Sequence, residues 1–297
     1  VSDDDAFATL QAAWDAGVRA FDTAPHYGVG LSEERLGRFL QGRDRSEFVV
    51  STKVGRRLVP SEGDVSGLEG FFDTPARTRV LDYSAPGVRR SLEESCQRLG
   101  LDRVDVALIH DPDDVEHEAM TETYPALAQL REEGVVSAIG VGMNQVPMLE
   151  RFVRDTDLDC VLVAGRYSLL NDDAGPSFFR LCEQRQVDVL VGGVFNSGVL
   201  ADPSPHATYD YRPVEPALRA RVTEIRDVCE HFGVSLPAAA MQYVLRTSVA
   251  GVVIGARSAR EVYDDVGFLH ATVPDELFEE LRARRLIERD SRSARRD

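Results

Sequence analysis

The chain has 297 residues, 43% hydrophobic and 28% charged, enough to bury a sizeable core in one large α/β domain or two smaller ones. A formal net charge of -16 at pH 7 gives an acidic surface that argues against nucleic acid or an anionic membrane as partner and leaves small molecules. The four cysteines, Cys96, Cys160, Cys182 and Cys229, are widely spaced without a C-x-x-C pair and read as buried thiols of a reducing, cytoplasmic compartment.

The chain opens "VSDDDAFATLQAAWDAG", a helix with Ser2 as N-cap and no initiator Met, so a missing segment carrying a first strand is expected ahead of residue 1. Short β-branched runs then alternate with amphipathic ones. Strands are predicted at 18–24, 48–54, 104–110, 136–142, 160–166, 188–195 and 251–256, each nearly continuously apolar as strands buried on both faces are. Helices are predicted at 31–41, 85–100, 123–134 and 216–233, several ending in the Gly expected past a C-terminus. Two connections exceed ordinary lengths, 56–83 and 201–213. The polar tail 289–297 is expected to be disordered, leaving 1–288 as a single domain.

This βα repetition indicates a parallel sheet wrapped by helices, one strand short of a (β/α)8 TIM barrel. The rival, an open doubly wound sheet, usually carries a three-Gly fingerprint after its first strand. "HYGVGLSE" has Gly28 and Gly30 without the third, and the barrel is the expected fold, lacking its first strand at the N-terminus.

Lys53 is the only lysine among 34 basic Lys and Arg residues. Arg replaces Lys freely on a solvated surface, but not where a compact ammonium is required. Lys53 ends the second predicted strand, Asp22 and Tyr27 follow the first, and His110 ends the third. In a barrel these strand ends surround one mouth. There an ammonium would lower a tyrosine pKa, an aspartate would hold the ammonium, and a histidine would orient a substrate oxygen. Each residue has an ordinary alternative: Asp22 as a turn cap, Tyr27 as a loop aromatic, His110 as a hydrogen-bonded core histidine. No metal cluster and no nucleophile–base pair is apparent.

"GVRAFDTAPHYGVGLSEERLGRFL", "VVSTKVGR", "SLEESCQRLGLDRVDVALIHDPD" and "VSAIGVGMN" resemble the aldo-keto reductase superfamily over essentially the whole chain. "GRYSLLN" and "GGVFNSGVLA" most resemble its aldose dehydrogenase branch, which includes D-threo-aldose (L-fucose), L-galactose and pyridoxal dehydrogenases. The resemblance implies a (β/α)8 barrel, a nicotinamide cofactor, and Asp22, Tyr27, Lys53 and His110 as the catalytic set with Tyr27 as acid/base. It assigns Asn144 to the cofactor carboxamide, although Met143 and Ala164 stand where relatives usually have Ser and Gln. Phe195 either stacks on the nicotinamide or is a core strand-end residue. The backbone of Asn196, Ser197 and Gly198 would cradle the pyrophosphate. Gly255, Ala256 and Glu261 stand at positions where NADP-preferring relatives carry Lys, Ser and Arg, and Asp265 stands for an adenine-side Asn. A carboxylate repels a 2′-phosphate, so NAD is favoured over NADP, with Arg257 and Arg260 close enough to weaken that preference.

The expected reaction is oxidation of an aldose lactol at C1. The alternatives are a pyridoxal 4-dehydrogenase or general aldehyde or ketone reductase and, in another class, a non-catalytic cofactor-binding barrel. His26, Tyr83, Trp14 and Arg166 are candidate pocket residues.

Overall fold

The computed structural model describes residues 1–62, 67 and 71–287; the predicted tail at 289–297 lies outside them. The first half runs α1 (Asp3–Asp15), β1 (Ala20–Asp22), α2 (Leu31–Leu40), β2 (Val49–Val54), β3 (Arg56–Pro60), β4 (Arg77–Leu81), α3 (Ala85–Leu99), β5 (Val106–His110), α4 (Glu116–Glu118), α5 (Tyr124–Glu132), β6 (Ala138–Met143) and α6 (Val146–Asp155). The second runs β7 (Cys160–Ala164), α7 (Pro176–Arg185), β8 (Asp188–Gly192), β9 (Thr208–Tyr209), β10 (Arg212–Pro213), α8 (Pro216–His231), α9 (Leu236–Leu245), β11 (Gly251–Val253), α10 (Ala259–Leu269) and α11 (Asp275–Ala283).

Two compact units are distinguished. The first takes Val1–Val161 with Ala256–Val262, and the second Leu162–Gly255 with Tyr263 onward. In the first, β1, β2, β5 and β6 lie side by side. The pairs β1–β2, β2–β5 and β5–β6 are parallel, in the registers Asp22↔Ser51, Lys53↔Leu108 and His110↔Gly142. Side chains along them are buried, as at Val50, Val54, Leu108, Ile109 and Val141. Register therefore brings the carboxyl ends of β1, β2 and β5 together.

Helix α1 begins with Ser2 and Asp5 in a reciprocal capping box, which satisfies N–H groups the first turn cannot. Its Trp14 stacks on Phe21 at 6.4 Å and meets Phe39 and Phe48 edge-on. Helix α2 approaches α3 so closely that a Cβ on Gly37 would lie 2.2 Å from the Leu99 carbonyl oxygen. Helix α3 is capped by Ser84, which accepts from the Gly87 N–H, and stops at Gly100, left-handed at φ 63°. The predicted loop 56–83 instead contains an antiparallel hairpin, β3 on β4, with five residue pairs from Arg56↔Leu81 to Pro60↔Arg77. Its strands are rich in arginine and make no apolar run, so periodicity does not mark them.

In the second unit β11 pairs with β8 in parallel, Val252↔Val191. The core is built on Phe178, Phe278, Ile225 and Met241. Tyr167 packs on Phe179 and Tyr243. The connection 201–213 holds one short antiparallel pair, β9 on β10. Cys96 is half-buried, and Cys160, Cys182 and Cys229 are buried; all four are free thiols. Among the described residues no helix is long and apolar enough to cross a membrane.

Candidate active site

Asp22 is the last residue of β1, Lys53 lies one residue before the end of β2, and His110 is the last residue of β5. Tyr27 opens a tight turn, Tyr27–Gly30, between β1 and α2. The four residues predicted from strand ends are brought together. The Lys53 ammonium, 2% exposed, donates to Asp22 Oδ2 at 2.5 Å and to the Thr23 carbonyl at 2.9 Å. Ser51 Oγ donates to Asp22 Oδ1 at 2.8 Å, so both carboxylate oxygens are engaged. Nζ of Lys53 lies 4.6 Å from the centre of the Tyr27 ring, and the His110 ring meets Tyr27 edge-on at 5.7 Å and 84°.

The electrostatics refine the expected picture. Burial works against the Lys53 ammonium, but Asp22 and Tyr27 outweigh it and the net shift is upward, so the amine stays charged. Burial raises the Tyr27 phenol above its ordinary value, and the Lys53 charge pulls against this without reversing it. The expected lowering of the tyrosine is thus outweighed: removal of a phenolate from water costs more than one buried ammonium, itself paired to Asp22, returns. His110 is pushed well down by burial and by the Lys53 and Arg56 charges, which leaves a neutral imidazole at ordinary pH.

Within the first unit, His26, Tyr83, Arg56 and Asp111 stand beside these four. His26 lies 5.9 Å from the His110 ring and 5.2 Å from Phe71. Burial with Arg56 and Arg79 lowers its pKa to about 4. The Tyr83 hydroxyl donates to the His110 carbonyl at 2.6 Å and lies 3.1 Å from that of Asp111. Trp14 belongs to the aromatic cluster under β1. Arg166, in the second unit, pairs with Asp210 at 3.1 Å. Arg56, Arg79, Phe71 and Asp111 were not singled out from sequence. Arg56 and Arg79 enter on the unpredicted hairpin, whereas Asp111 had a visible signal in the acidic run directly after His110.

The cofactor candidates are described within their own units. In the first, Asn144 follows β6 with an exposed side chain, its Oδ1 3.2 Å from Gln145 Nε2; Met143 beside it is buried. Glu261, in the first turn of α10, accepts from the Arg257 backbone N–H at 2.6 Å and from its guanidinium at 3.0 Å. Burial opposes the Glu261 charge, but these donors outweigh it and hold the carboxyl below its usual range. Ala256 precedes this pair. In the second unit Phe195 packs edge-on against Phe268 at 6.4 Å. Asn196, Ser197 and Gly198 have φ of 45°, 57° and 100° in succession. The amides of Asn196, Gly198, Val199 and Leu200 donate to carbonyls within this turn, so they are spent on the turn itself. Asn196 Nδ2 donates to the Gly165 carbonyl at 3.3 Å, while its buried Oδ1 has no hydrogen-bond partner among the described residues. A Cβ on Gly255 would meet nothing within 4 Å, and Asp265 lies within α10.

A cleft of about 510 Å³ beneath the hairpin is lined by Glu34, Leu58, Arg77, Glu94 and Arg98 among others. None of the four strand-end residues lines it, and Arg77 and Arg98 are paired with Glu34 and Glu33. Among the described residues no group of three His, Cys, Asp or Glu side chains is placed to hold a metal.

The Aldo/keto reductase family model matches residues 1–285. A D-threo-aldose 1-dehydrogenase of Pseudomonas sp is 43% identical over 295 residues, 97% of this chain and 90% of the relative. A pyridoxal 4-dehydrogenase of Microbacterium luteolum is 37% identical over 309 residues, with the same coverage of 97% and 90%. An L-galactose dehydrogenase of Arabidopsis thaliana is 30% identical over 279 residues, 90% of this chain and 78% of the relative. Among solved structures, the holo form of an aldo-keto reductase from Bacillus halodurans superposes with a TM-score of 0.77 at 23% identity, covering 97% of this chain and 88% of that one. The fold class is the (β/α)8 barrel expected from the strand-and-helix pattern.

Proposed function

Since the chain belongs to the aldo/keto reductase family, an oxidoreductase family acting on small molecules with nicotinamide cofactors, we propose that it oxidises the lactol form of an aldose at C1 to the lactone. The observation that carries the chemistry is the Tyr27 ring set against a buried ammonium locked by Asp22. Similarity to a D-threo-aldose 1-dehydrogenase over nearly the whole chain supports the substrate class.

In this reading Tyr27, as phenolate, takes the proton of the C1 hydroxyl while neutral His110 donates a hydrogen bond to the same oxygen. Lys53 stays charged throughout and stabilises the phenolate until it takes the proton. Asp22, itself held by Ser51, and the Thr23 carbonyl fix the ammonium. The oxidised nicotinamide, when bound, supplies the acceptor for the hydride leaving C1. The donors and acceptors of the first unit fit such a cofactor: Asn144 presents an exposed amide for a carboxamide, and Arg257 with Glu261 presents a charge-compensated pair for an adenosine ribose. Glu261 neutralises the nearer arginine and favours a 2′-hydroxyl over a 2′-phosphate, hence NAD over NADP. The four free thiols suit the cytoplasm. A second reading, oxidation of pyridoxal or a small aldehyde, rests on the 37% identical relative.

The test supplies NAD and NADP separately with L-fucose, L-galactose, D-arabinose and pyridoxal, and follows absorbance of the reduced cofactor, with Tyr27→Phe as control. Aldose-dependent reduction of NAD that is lost in the control is the expected result. Turnover of pyridoxal alone would replace the aldose reading by the second one.

A further inference from the structure

Asp111 follows the site histidine on β5 and takes no part in the chemistry above. Three observations set it apart. Its backbone is left-handed, φ 43°, a conformation that non-glycine residues adopt at a cost and that clusters at functional sites. Its N–H still donates to the Gly142 carbonyl at 3.0 Å, which extends the β5–β6 ladder by one step, and its own carbonyl lies 3.1 Å from the Tyr83 hydroxyl. Tyr83 reaches there because residue 55 is glycine: a Cβ at Gly55 would lie 2.3 Å from the Tyr83 ring. The left-handed turn is therefore held in place by its surroundings.

The turn brings Asp111 Oδ2 to 3.5 Å from His110 Nε2, while Arg56 holds the same oxygen at 2.9 Å. The other imidazole nitrogen, Nδ1, is buried with no hydrogen-bond partner among the described residues. A neutral imidazole carries one proton, and the carboxylate draws that proton to Nε2. Nε2–H is thus the donor, and an acceptor-only group stands beside it. The Asp111 side chain keeps 35% of its surface exposed, and burial raises its carboxyl above the ordinary range against the pull of Arg56.

We propose that Asp111, oriented by Arg56, is the specificity-determining residue for a substrate with a hydroxyl on the carbon next to the reacting carbon. The reacting oxygen takes the His110 Nε2–H, and the neighbouring hydroxyl donates to the Asp111 carboxylate. A carboxylate that accepts beside a guanidinium that donates suits a pair of vicinal hydroxyls. The inference rests on the carbonyl–alcohol chemistry of the same site and narrows its substrates to α-hydroxylated ones. A site that accepts a hydrogen bond from a substrate hydroxyl discriminates against an analogue lacking it, because that charge-assisted bond is then not made.

The test compares reduction of glyceraldehyde with reduction of propanal, which share a carbon chain and differ in the hydroxyls, in the wild-type enzyme, Asp111→Asn and Asp111→Ala. The readout is the ratio of the two kcat/KM values, alongside aldose oxidation by the wild type. Wild type is expected to favour glyceraldehyde, and both substitutions to lower that ratio by about 10- to 100-fold, as loss of a hydrogen bond to a charged group would. A residue that merely supports the fold or His110 would depress both substrates together, and an unchanged ratio overturns the proposal. A wild-type enzyme without preference for glyceraldehyde overturns it as well. If the ratio collapses in the variants but no aldose is oxidised, the aldose reading fails while the role of Asp111 stands.

Discussion

Lys53 decides the behaviour of the site at the scale of single residues. Its ammonium is fixed by Asp22 Oδ2 and the Thr23 carbonyl in a space 2% exposed, where a planar guanidinium has neither the room nor the matching fork. Lys53→Met leaves the Asp22 carboxylate buried without its cation, and a loss of about 3–5 kcal/mol in unfolding free energy by denaturant titration is expected. Tyr27→Phe removes the proton carrier, so kcat should fall by roughly 10²–10⁴-fold while cofactor affinity, measured by fluorescence titration, holds. The pH dependence follows from the raised phenol. Oxidation needs the deprotonated form, so its rate should climb with pH through the alkaline range towards that pKa. Reduction needs the protonated form and should stay level through neutrality, falling only above it. His26 gives a separate signature in stability. Its folded pKa of about 4 lies below its ordinary 6.5, so the unfolded chain binds the proton first as pH falls. The associated stability is complete above 6.5 and lost on descending to about 4, worth roughly 1–2 kcal/mol once solvent screening at a half-buried site is allowed for. His26→Gln should flatten this slope in thermal melts taken across that range.

Elements place these residues, and two elements invite direct tests. Helix α2 packs on α3 through Gly37, whose absent side chain leaves space for the Leu99 carbonyl. Gly37→Ala should destabilise by about 1–3 kcal/mol, because the contact is with backbone that cannot rotate away. In the proposed reading the start of α10 bears on cofactor choice: Ser258 Oγ accepts from the Glu261 N–H at 3.2 Å, and Glu261 holds Arg257. Glu261→Gln should shift the ratio of kcat/KM for NADP over NAD upward by about tenfold, since it releases a guanidinium and removes a repelling carboxylate. The hairpin of β3 and β4 shows the limit of pattern reading. "RRLVP" and "RTRVL" contain too few apolar residues to signal a buried strand, yet each pairs along its length. Their arginines find carboxylates elsewhere, as Arg57 does at Asp82 and Glu94, so pairing rather than burial holds them.

At the scale of the whole molecule, the net charge of -16 sets the field through which an anionic cofactor arrives. Raising ionic strength from about 0.01 to about 0.15 M shortens the reach of that repulsion from about 30 to about 8 Å. The association rate of the cofactor, measured by stopped-flow fluorescence, should increase accordingly, and more for NADP than for NAD. The strand-and-helix order was legible without any structure because strands buried on both faces must be continuously apolar and helices that cover them must be amphipathic. Asp22, Lys53 and His110 were legible for a related reason: they interrupt apolar runs at their carboxyl ends, where polar groups meet the mouth of a barrel.

The parallel architecture was written in composition and spacing along the chain, the family in the motifs that resemble it, and the strand-end placement of Asp22, Tyr27, Lys53 and His110 in the pattern of apolar runs. The sequence left open whether Phe195 was a cofactor or a core residue, and it placed an arginine-rich hairpin in a loop. Only the tertiary structure decided that the Tyr27 phenol is raised rather than lowered, because the outcome depends on how completely its ring is buried and on the distance to an ammonium already neutralised by Asp22. Only the tertiary structure brought Arg56 to the Asp111 carboxylate and turned that carboxylate back to the His110 ring, because that meeting depends on a left-handed turn held by Tyr83 against Gly55, residues far apart in the chain whose contact no local pattern records.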